Sequence, residues 1–263
     1  MENLKLSLKL VKGPIHSLEK AKSKIPVNQN IGGIAAGTAF AGVLAESSSL
    51  LISAPILVLA GKAKDGITFT GEIEGYSLLG QFTTVRFKEN DELIAVISEK
   101  PVDGRHQVYA IIDPKSGLLY MIYEMGRSVK KGYKAIMMQT YYFTLICWGG
   151  LSIILSFFYI FDFNYSWVSF FNLLSWVFIF LILAILFTGF INYFGYRKSY
   201  ENFGTLSEQI FEKFGFDDSK EQDFYNDFLI NDGINISVMD YRKNLKGPDP
   251  YPQDYFDKKK VSE

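Results

Sequence analysis

The side chains that could do chemistry are few and far apart in this chain. It contains two histidines, His16 and His106, and one cysteine, Cys147. A single cysteine excludes an intramolecular disulfide and any cysteine-rich zinc site. Two histidines are also few for the side-chain clusters that form metal and acid–base sites. We therefore predict no metal and no cofactor.

Two pairs of titratable residues are close enough in sequence to consider as catalytic. Asp103 and His106 fall at a turn followed by a strand, which favours the solvated end of a hairpin. Glu72 and Glu74 alternate along a predicted strand, so both carboxylates point to one face and could form an acid–base pair. A polar outer surface explains them more simply. We predict no catalytic residue and a protein that is not an enzyme.

The charge balance limits the classes of partner. The 263 residues carry 27 Lys and Arg against 28 Asp and Glu, so bulk electrostatics do not favour a nucleic-acid partner. The charges are uneven, because residues 1–24 are rich in lysine and the chain after Ser199 is rich in Asp and Glu. Residues 1–24 also lack an apolar core, so we expect no cleavable signal peptide.

Two long charge-free stretches dominate the middle of the chain. Residues 135–161 and 167–196 contain no Asp, Glu, Lys, Arg or His, and each exceeds the roughly 20 residues that a helix needs to cross a bilayer. We predict transmembrane helices over residues 141–161 and 168–194, joined by an external turn at residues 162–167. Neither span contains an ionisable side chain, which argues against a proton or ion pathway. A pore lined by Ser, Thr and Asn side chains of several copies stays open as the alternative.

Basic residues flank both predicted spans. They are Arg127, Lys130, Lys131 and Lys134 before the first span and Arg197 and Lys198 after the second. By the positive-inside rule, they place both termini in the cytoplasm of a multi-pass inner-membrane protein. The first group lies in a predicted juxtamembrane segment, residues 127–140, where it could also bind anionic lipid.

Small residues mark surfaces where helices could approach closely. Gly149, Gly150 and Gly189 lie in the two spans, and Gly33 and Gly37 lie four residues apart in an earlier segment. Such residues allow close helix contact. Two interpretations stay open: ordinary packing within one hairpin, and contact between copies of the chain in a homo-oligomer.

The region before the basic segment, residues 1–126, has the pattern of a small β domain. Alternating runs bounded by turn sequences predict strands at residues 4–12, 67–75, 82–87, 92–98, 105–112 and 118–123. Their length and spacing are typical of a small antiparallel barrel or sandwich, OB-like or SH3-like. The predicted fold class is an α+β membrane protein with this domain, a two-helix transmembrane hairpin and a short C-terminal helical region.

An Ala- and Gly-rich insertion at residues 31–61 interrupts the predicted β domain. We expect helices that pack on the β domain or enter the membrane surface, with a third span as the alternative. The insertion lacks the Lys-Ser/Thr that a phosphate-binding loop requires.

Residues 195–263 are expected to form a cytoplasmic tail. The spacing of Leu206, Ile210 and Phe214 predicts an amphipathic helix over residues 205–214. The Pro-rich sequence from Gly247 onward predicts a loose terminus.

Several segments, taken in order, resemble one bacterial family. They are residues 31–45, 82–96, 106–114, 126–127 before the basic run, and 206–216 after the spans. Together they are similar to bacterial membrane proteins grouped as type VI secretion system effectors. The chain departs from that pattern at residues 90–91 and 124–127, and the family supplies no catalytic residue to carry over.

The resemblance implies an inner-membrane protein of a Gram-negative bacterium that serves type VI secretion. It would be a membrane-targeting effector, or the immunity or accessory protein paired with one. Its partners would be the lipid bilayer, secretion components or a cognate protein, and a second copy of the chain. The alternative is a membrane-anchored scaffold or quality-control protein that uses the small barrel to bind partners.

Overall fold

The computed structural model describes five segments of the chain. They are residues 6–26, 63–122, 125–160, 167–225 and 238–262. The predicted insertion at residues 31–61, with Gly33 and Gly37, lies outside the described residues. Residues 162–166 of the predicted external turn also lie outside them.

The chain divides into two units, and the first contains a mixed sheet. This unit combines Met1–Val129 with Asn202–Glu263, and the second unit is Lys130–Glu201. The eight described strands are β1 (Leu8–Pro14), β2 (His16–Pro26), β3 (Ala63–Ile73), β4 (Tyr76–Phe82), β5 (Glu92–Ser98), β6 (His106–Asp113), β7 (Leu118–Met121) and β8 (Val238–Asp240).

The β3–β4 hairpin differs from the sequence-based expectation. Glu74 and Gly75 have φ angles of 53° and 79°, the left-handed backbone that a two-residue hairpin turn requires. β4 therefore starts at Tyr76 and ends at Phe82, where the sequence predicts a strand over residues 82–87 to begin. The sequence-based prediction missed this hairpin because it read the Glu74–Gly75 turn as part of a strand.

The strand order closes the sheet on itself. It runs β1-β5-β6-β4-β3-β2, and only Ile15 separates β1 from β2. These two therefore act as one bent strand that pairs with β5 at one end and β3 at the other. All contacts in this circuit are antiparallel except that between β4 and β6, which is parallel. This is the pairing of a five-stranded Greek-key barrel of the OB type.

Aromatic rings fill the interior of the closed sheet. Phe69, Phe82, Phe87 and Tyr120 are fully or almost fully buried there. The Phe69 ring centroid lies 5.4 Å from that of Phe82 and 5.3 Å from that of Phe87, distances at which aromatic pairs attract. A Cβ atom at Gly80 would collide with the Phe69 ring, so β4 can pass this close only because position 80 has no side chain.

Two long helices and two short ones follow the main strands. They are α1 (Val129–Ile160), α2 (Trp167–Phe214), α3 (Tyr241–Asn244) and α4 (Tyr255–Ser262). α2 ends where Gly215 adopts a φ of 73° and the amide of Phe216 donates to the carbonyl of Phe211 at 3.0 Å, a common helix stop. The helix predicted over residues 205–214 is thus the last part of α2.

The long helices differ from the predicted transmembrane hairpin. Among the residues that the structure describes, no helix is at once long enough and apolar enough to cross a bilayer. The charge-free stretches belong to longer helices, since α1 begins among Lys130 and Lys131 and α2 continues past Arg197 and Lys198. The predicted transmembrane hairpin is therefore wrong, and so is the α+β membrane fold class.

Further predictions depended on that hairpin. The spans at residues 141–161 and 168–194, and the multi-pass inner-membrane location with both termini in the cytoplasm, are overturned by the same finding. The described elements instead form an α+β fold with a mixed sheet.

In the second unit the two long helices run antiparallel. The Thr144 and Thr188 hydroxyls lie 3.2 Å apart, and the Tyr133 hydroxyl donates to Glu201 Oε1 at 3.0 Å. A Cβ atom at Gly189 would lie 3.7 Å from Met137 Cε, an ordinary van der Waals contact. Gly189 thus lies on the face of α2 that meets α1.

A second core lies on the outer face of the first unit's sheet. Buried side chains after position 205 pack there against Tyr109, Ile112 and Leu119; they are Leu206, Ile210, Phe211, Phe214, Phe216 and Phe224. Positions 206, 210 and 214 recur at helical spacing, so one face of α2 covers the sheet. The described residues after position 202 therefore form an integral layer of the β domain.

The last residues are also packed against this unit. Tyr241 is fully buried and Tyr251 is 4 % exposed. Arg242 holds this segment in place: its guanidinium donates to Asp249 Oδ2 at 2.9 Å and to the carbonyl oxygens of Pro114 and Tyr251 at 2.6 and 2.8 Å. The loose terminus predicted after Gly247 is ordered at least up to Tyr251.

We expect Tyr241→Phe to lower the free energy of unfolding by about 1–2 kcal/mol, because its hydroxyl bonds to the Asp249 carboxylate and the Tyr251 carbonyl would be lost. Urea-induced unfolding of the full chain measures the change. Tyr142→Phe is the control, since that side chain is 53 % exposed and its change should stay within about 0.5 kcal/mol. Equal effects of the two substitutions would contradict the prediction.

Candidate binding cleft

A cleft of about 1090 Å³ opens where three strand ends of the first unit meet. β1 ends beside the start of β5, since Pro14 pairs with Glu92, and β5 starts beside the end of β6, since Ile94 pairs with Ile112. The turns at these ends therefore converge at one edge of the sheet. The lining residues are Pro14, His16, Asn90, Asp91, Glu92, Asp113, Pro114, Lys115, Ser116, Gln253, Phe256 and Asp257.

Backbone hydrogen bonds fix the first wall of the cleft. The amide of Ile15 donates to the Asp91 carbonyl at 3.0 Å, and the amide of Asn90 donates to the Ile15 carbonyl at 2.8 Å. The Asp91 carboxylate accepts from the amide of Lys88 at 2.6 Å. Asn90 has a φ of 65°, a left-handed conformation that Asn tolerates better than most residues. This turn is therefore rigidly attached to the bend between β1 and β2.

The second wall is the turn between β6 and β7. The Asp113 carboxylate accepts from the amides of Lys115 and Ser116 at 3.0 and 3.2 Å and from the Ser116 hydroxyl at 2.5 Å. Such bonds are what make Asp a turn-forming residue. The guanidinium of Arg242 binds the Pro114 carbonyl behind this turn, so the C-terminal segment supports it from outside.

The third wall is α4, placed by aromatic and basic contacts. Lys12 Nζ donates to the Tyr255 hydroxyl at 2.9 Å, and the Tyr255 ring lies 5.2 Å from both Tyr251 and Phe256. Burial raises the pKa of Tyr251 to about 12, so this phenol stays neutral at physiological pH. Burial likewise raises the pKa of Tyr241, with the Asp249 carboxylate adding to the effect. α4 thus brings Phe256 and Asp257 to the cleft.

The lining is dominated by negative charge. Four carboxylates, from Asp91, Glu92, Asp113 and Asp257, face one ammonium group, that of Lys115. Carboxylates grouped in a concave surface attract cations and repel anions. Phe256 adds an aromatic ring to the same lining.

The Ser116 hydroxyl in the lining is already engaged by a carboxylate. Ser116 is hydrogen-bonded to Asp113 within its own turn, and nucleophilic catalysis needs a base that takes the hydroxyl proton. Within the described residues, no group of three or more His, Cys, Asp or Glu side chains is arranged to hold a metal ion.

The predicted acid–base pairs lie elsewhere and serve the fold. His106 Nδ1 lies 2.7 Å from the Ser98 carbonyl oxygen, and its ring packs edge-on against Tyr76 with centroids 5.3 Å apart. Asp103 occupies the exposed turn before β6 with a φ of 52°. Glu72 lies on β3, whereas Glu74 lies in the hairpin turn, so the two carboxylates do not share a strand face.

The predicted lipid-binding and topology residues divide between the two units. Arg127 Nε donates to Asp223 Oδ1 at 2.9 Å, its side chain is 13 % exposed, and its guanidinium carbon lies 4.9 Å from the centre of the Tyr225 ring. It therefore joins the start of α1 to the chain after α2. Lys130, Lys131 and Lys134 lie in the first turns of α1, and Arg197 and Lys198 lie within α2. A role for these lysines and arginines in lipid binding stays a prediction.

The predicted helix-contact glycines have different surroundings. Gly189 meets Met137 between the helices, but Gly149 and Gly150 have no atom within 4 Å of an added Cβ. Helix packing inside the second unit therefore uses Gly189 and leaves Gly149 and Gly150 exposed.

Sequence reasoning assigned none of the cleft residues to a site. It identified turns at residues 89–91 and 113–117, but turns alone do not reveal which strand ends are neighbours. The pairing of β5 with β1 and with β6, and the return of the chain at β8 to pair with β7, bring them together.

The fold and the cleft define a class: an α+β protein in which a small closed sheet carries an acidic cleft. Comparison with protein-family models, with curated proteins and with solved structures gives no match. The argument for function therefore rests on the geometry of this chain.

Proposed function

We propose that this protein is a non-enzymatic binding protein whose β domain holds a cationic segment of a partner protein in the acidic cleft. The observation that carries the proposal is the excess of four carboxylates over one ammonium group in a cleft of about 1090 Å³. That volume reaches the upper range of ligand pockets, which suits several side chains of a peptide.

Rigid walls favour binding at this place. Backbone and side-chain hydrogen bonds hold the turns of Asp91 and Asp113 in fixed positions, and Lys12 fixes Tyr255 of α4. A preformed site loses little conformational entropy when its ligand binds. The carboxylates keep further acceptor positions beyond those bonds.

Charge reversal in the cleft tests this function. A fluorescein-labelled hexalysine peptide is the probe, and fluorescence anisotropy gives its dissociation constant for the full chain. We expect Asp257→Lys to weaken binding about tenfold, or about 1.4 kcal/mol, because it replaces an attraction by a repulsion. Added salt should weaken wild-type binding as well.

The matched control for that test lies at the end of β2 and β3 opposite His16, where Asp65 pairs with Lys24. Asp65→Lys makes the same charge change at a side chain that is 90 % exposed and does not line the cleft. It should alter affinity less than about twofold, since a distant exposed charge is screened. Equal losses for both variants, or tight binding of a hexaglutamate peptide, would overturn the proposal.

The setting we propose for this binding is type VI secretion, with the chain paired with an effector as its immunity or accessory protein. What supports it is the resemblance of residues 82–96, 106–114 and 206–216 to that bacterial family. Deleting the gene should then lower survival against sibling cells with active secretion, and re-expression should restore it. Unchanged survival would leave the scaffold role as the better explanation.

A further inference from the structure

One of the two histidines in the chain lines the acidic cleft. His16 is the first residue of β2, is exposed, and belongs to the lining. Histidine is the side chain that ordinarily gains a positive charge as the pH falls from 8 to 5. The other histidine, His106, packs against Tyr76 and lies outside the lining. The charge of the cleft can therefore respond to pH through His16.

We propose that protonation of His16 weakens the binding of a cationic segment in the cleft, which makes this site sensitive to pH. The inference rests on the proposed function and adds a regulation of the same site. With a neutral imidazole, four carboxylates face one ammonium group in the lining, an excess of three negative charges. An imidazolium lowers that excess to two and repels the ammonium groups of the ligand.

The backbone that carries this imidazole is held at the wall of the cleft. Ile15, the residue before His16, exchanges backbone hydrogen bonds with the turn at residues 90–91. The amide of Ser17, the residue after it, donates to Glu89 Oε1 at 2.8 Å. His16 is thus fixed on both sides to the turn that forms the first wall.

Carboxylates of several elements lie near His16. Glu72 of β3 pairs with it in the strand register, and side chains paired in this way on antiparallel strands lie on one face about 5 Å apart. The other charged groups of the elements that meet at this end of the sheet are Lys12, Glu74, Lys88, Glu89, Asp91, Glu92, Asp113, Lys115 and Asp257. Carboxylates outnumber ammonium groups in this set, so an added positive charge cancels part of the attraction for a cationic ligand.

The charges of such neighbours are expected to stay constant while an imidazole titrates. Carboxyl groups ordinarily titrate near about pH 4 and lysine ammonium groups above about pH 10. Neither class therefore changes its charge between pH 7.5 and pH 5.5. The α-amino group of a chain titrates near about pH 8, and a variant without His16 corrects for its contribution.

We expect the dissociation constant of a hexalysine peptide to rise about threefold between pH 7.5 and pH 5.5, because one exposed charge alters an ionic interaction only modestly. Fluorescence anisotropy of the full chain at constant ionic strength measures both values. The peptide carries a rhodamine label, since fluorescein itself titrates in this interval. The quantity compared among variants is the dissociation constant at pH 5.5 divided by that at pH 7.5.

Three variants assign this ratio to one residue. His16→Gln should give a ratio of about one, because an amide carries no charge at either pH. His16→Lys should also give about one, with weak binding at both pH values, because its charge is permanent. His106→Gln is the matched control: it makes the same substitution at the other histidine, whose Nδ1 lies 2.7 Å from the Ser98 carbonyl oxygen, and should keep the wild-type ratio. Circular dichroism checks that each variant is folded.

Proton NMR gives a reciprocal measurement. If protons weaken peptide binding, peptide binding must by linkage expel protons from the same group. At pH 6.5 we expect hexalysine to shift the Cε1 proton signal of His16 toward the position of a neutral imidazole. The signal of His106 should not move in this way, and the spectrum of His16→Gln assigns the two signals.

The outcomes separate this inference from the proposed function. Binding of equal strength at both pH values, or the same ratio for wild type and His16→Gln, would overturn the inference and leave the proposed function standing. A ratio that is lost in His106→Gln and kept in His16→Gln would do the same. Absence of peptide binding at either pH would overturn both.

Discussion

Phe211→Ala should lower the free energy of unfolding of the first unit by about 3–5 kcal/mol, the usual cost of deleting a buried aromatic ring. Phe211 is fully buried in the outer core, with its ring centroid 5.2 Å from that of Phe224 and 6.1 Å from that of Phe216. The loss is large because the space is enclosed by the sheet on one side and by the chain after α2 on the other. Urea-induced unfolding followed by circular dichroism measures it.

Phe178→Ala is the control for this substitution. It removes the same ring from the same helix, but Phe178 is 66 % exposed, so the change should stay within about 0.5 kcal/mol. If Phe211→Ala also cost less than about 1 kcal/mol, the chain after residue 202 would be a detachable tail and the outer core would not contribute to folding.

Gly204→Ala should destabilise the first unit by about 1–3 kcal/mol, although alanine is the better helix former. A Cβ atom at Gly204 would lie 2.7 Å from the backbone nitrogen and Cα of Val129. Backbone atoms cannot rotate away, so the two chain segments would have to separate. That separation would strain the bond from the Val129 amide to Glu208 Oε1, now 2.9 Å long. Thermal unfolding gives the change in stability.

Gly149→Ala is the comparison that isolates this contact. Gly149 also lies inside a helix but has no atom within 4 Å of an added Cβ, so alanine should stabilise its helix by about 1 kcal/mol. We expect Gly204→Ala to lower the free energy of unfolding and Gly149→Ala to raise it. Stabilisation by both would show that the close approach of Gly204 to Val129 does not limit the fold.

Local patterns predicted several elements well. The strand expected at residues 92–98 coincides with β5, and that at residues 105–112 nearly coincides with β6, because both are short apolar runs bounded by turn residues. The spacing of Leu206, Ile210 and Phe214 predicted the last part of α2, because apolar residues four positions apart lie on one face of a helix. The start of β4 was missed, since the positive φ of Glu74 is unusual for that residue type.

The prediction of transmembrane helices from the apolar stretches was wrong for a different reason. A helix without charged residues is expected to have its apolar surface covered. The absence of charge does not by itself show what covers that surface. Membrane crossing was the simplest explanation of residues 141–161 and 168–194, and the structure contradicts it within the residues it describes.

The sequence by itself determined the classes of element. Alternation and turn residues placed most of the described strands, and helical spacing placed the last part of α2. Only the tertiary structure decided that the bent first strand closes the sheet, that the chain after residue 202 forms its outer layer, and that three strand ends build an acidic cleft. The physical reason is that propensity and periodicity are local, whereas strand order and the meeting of distant turns depend on contacts between residues far apart in the chain.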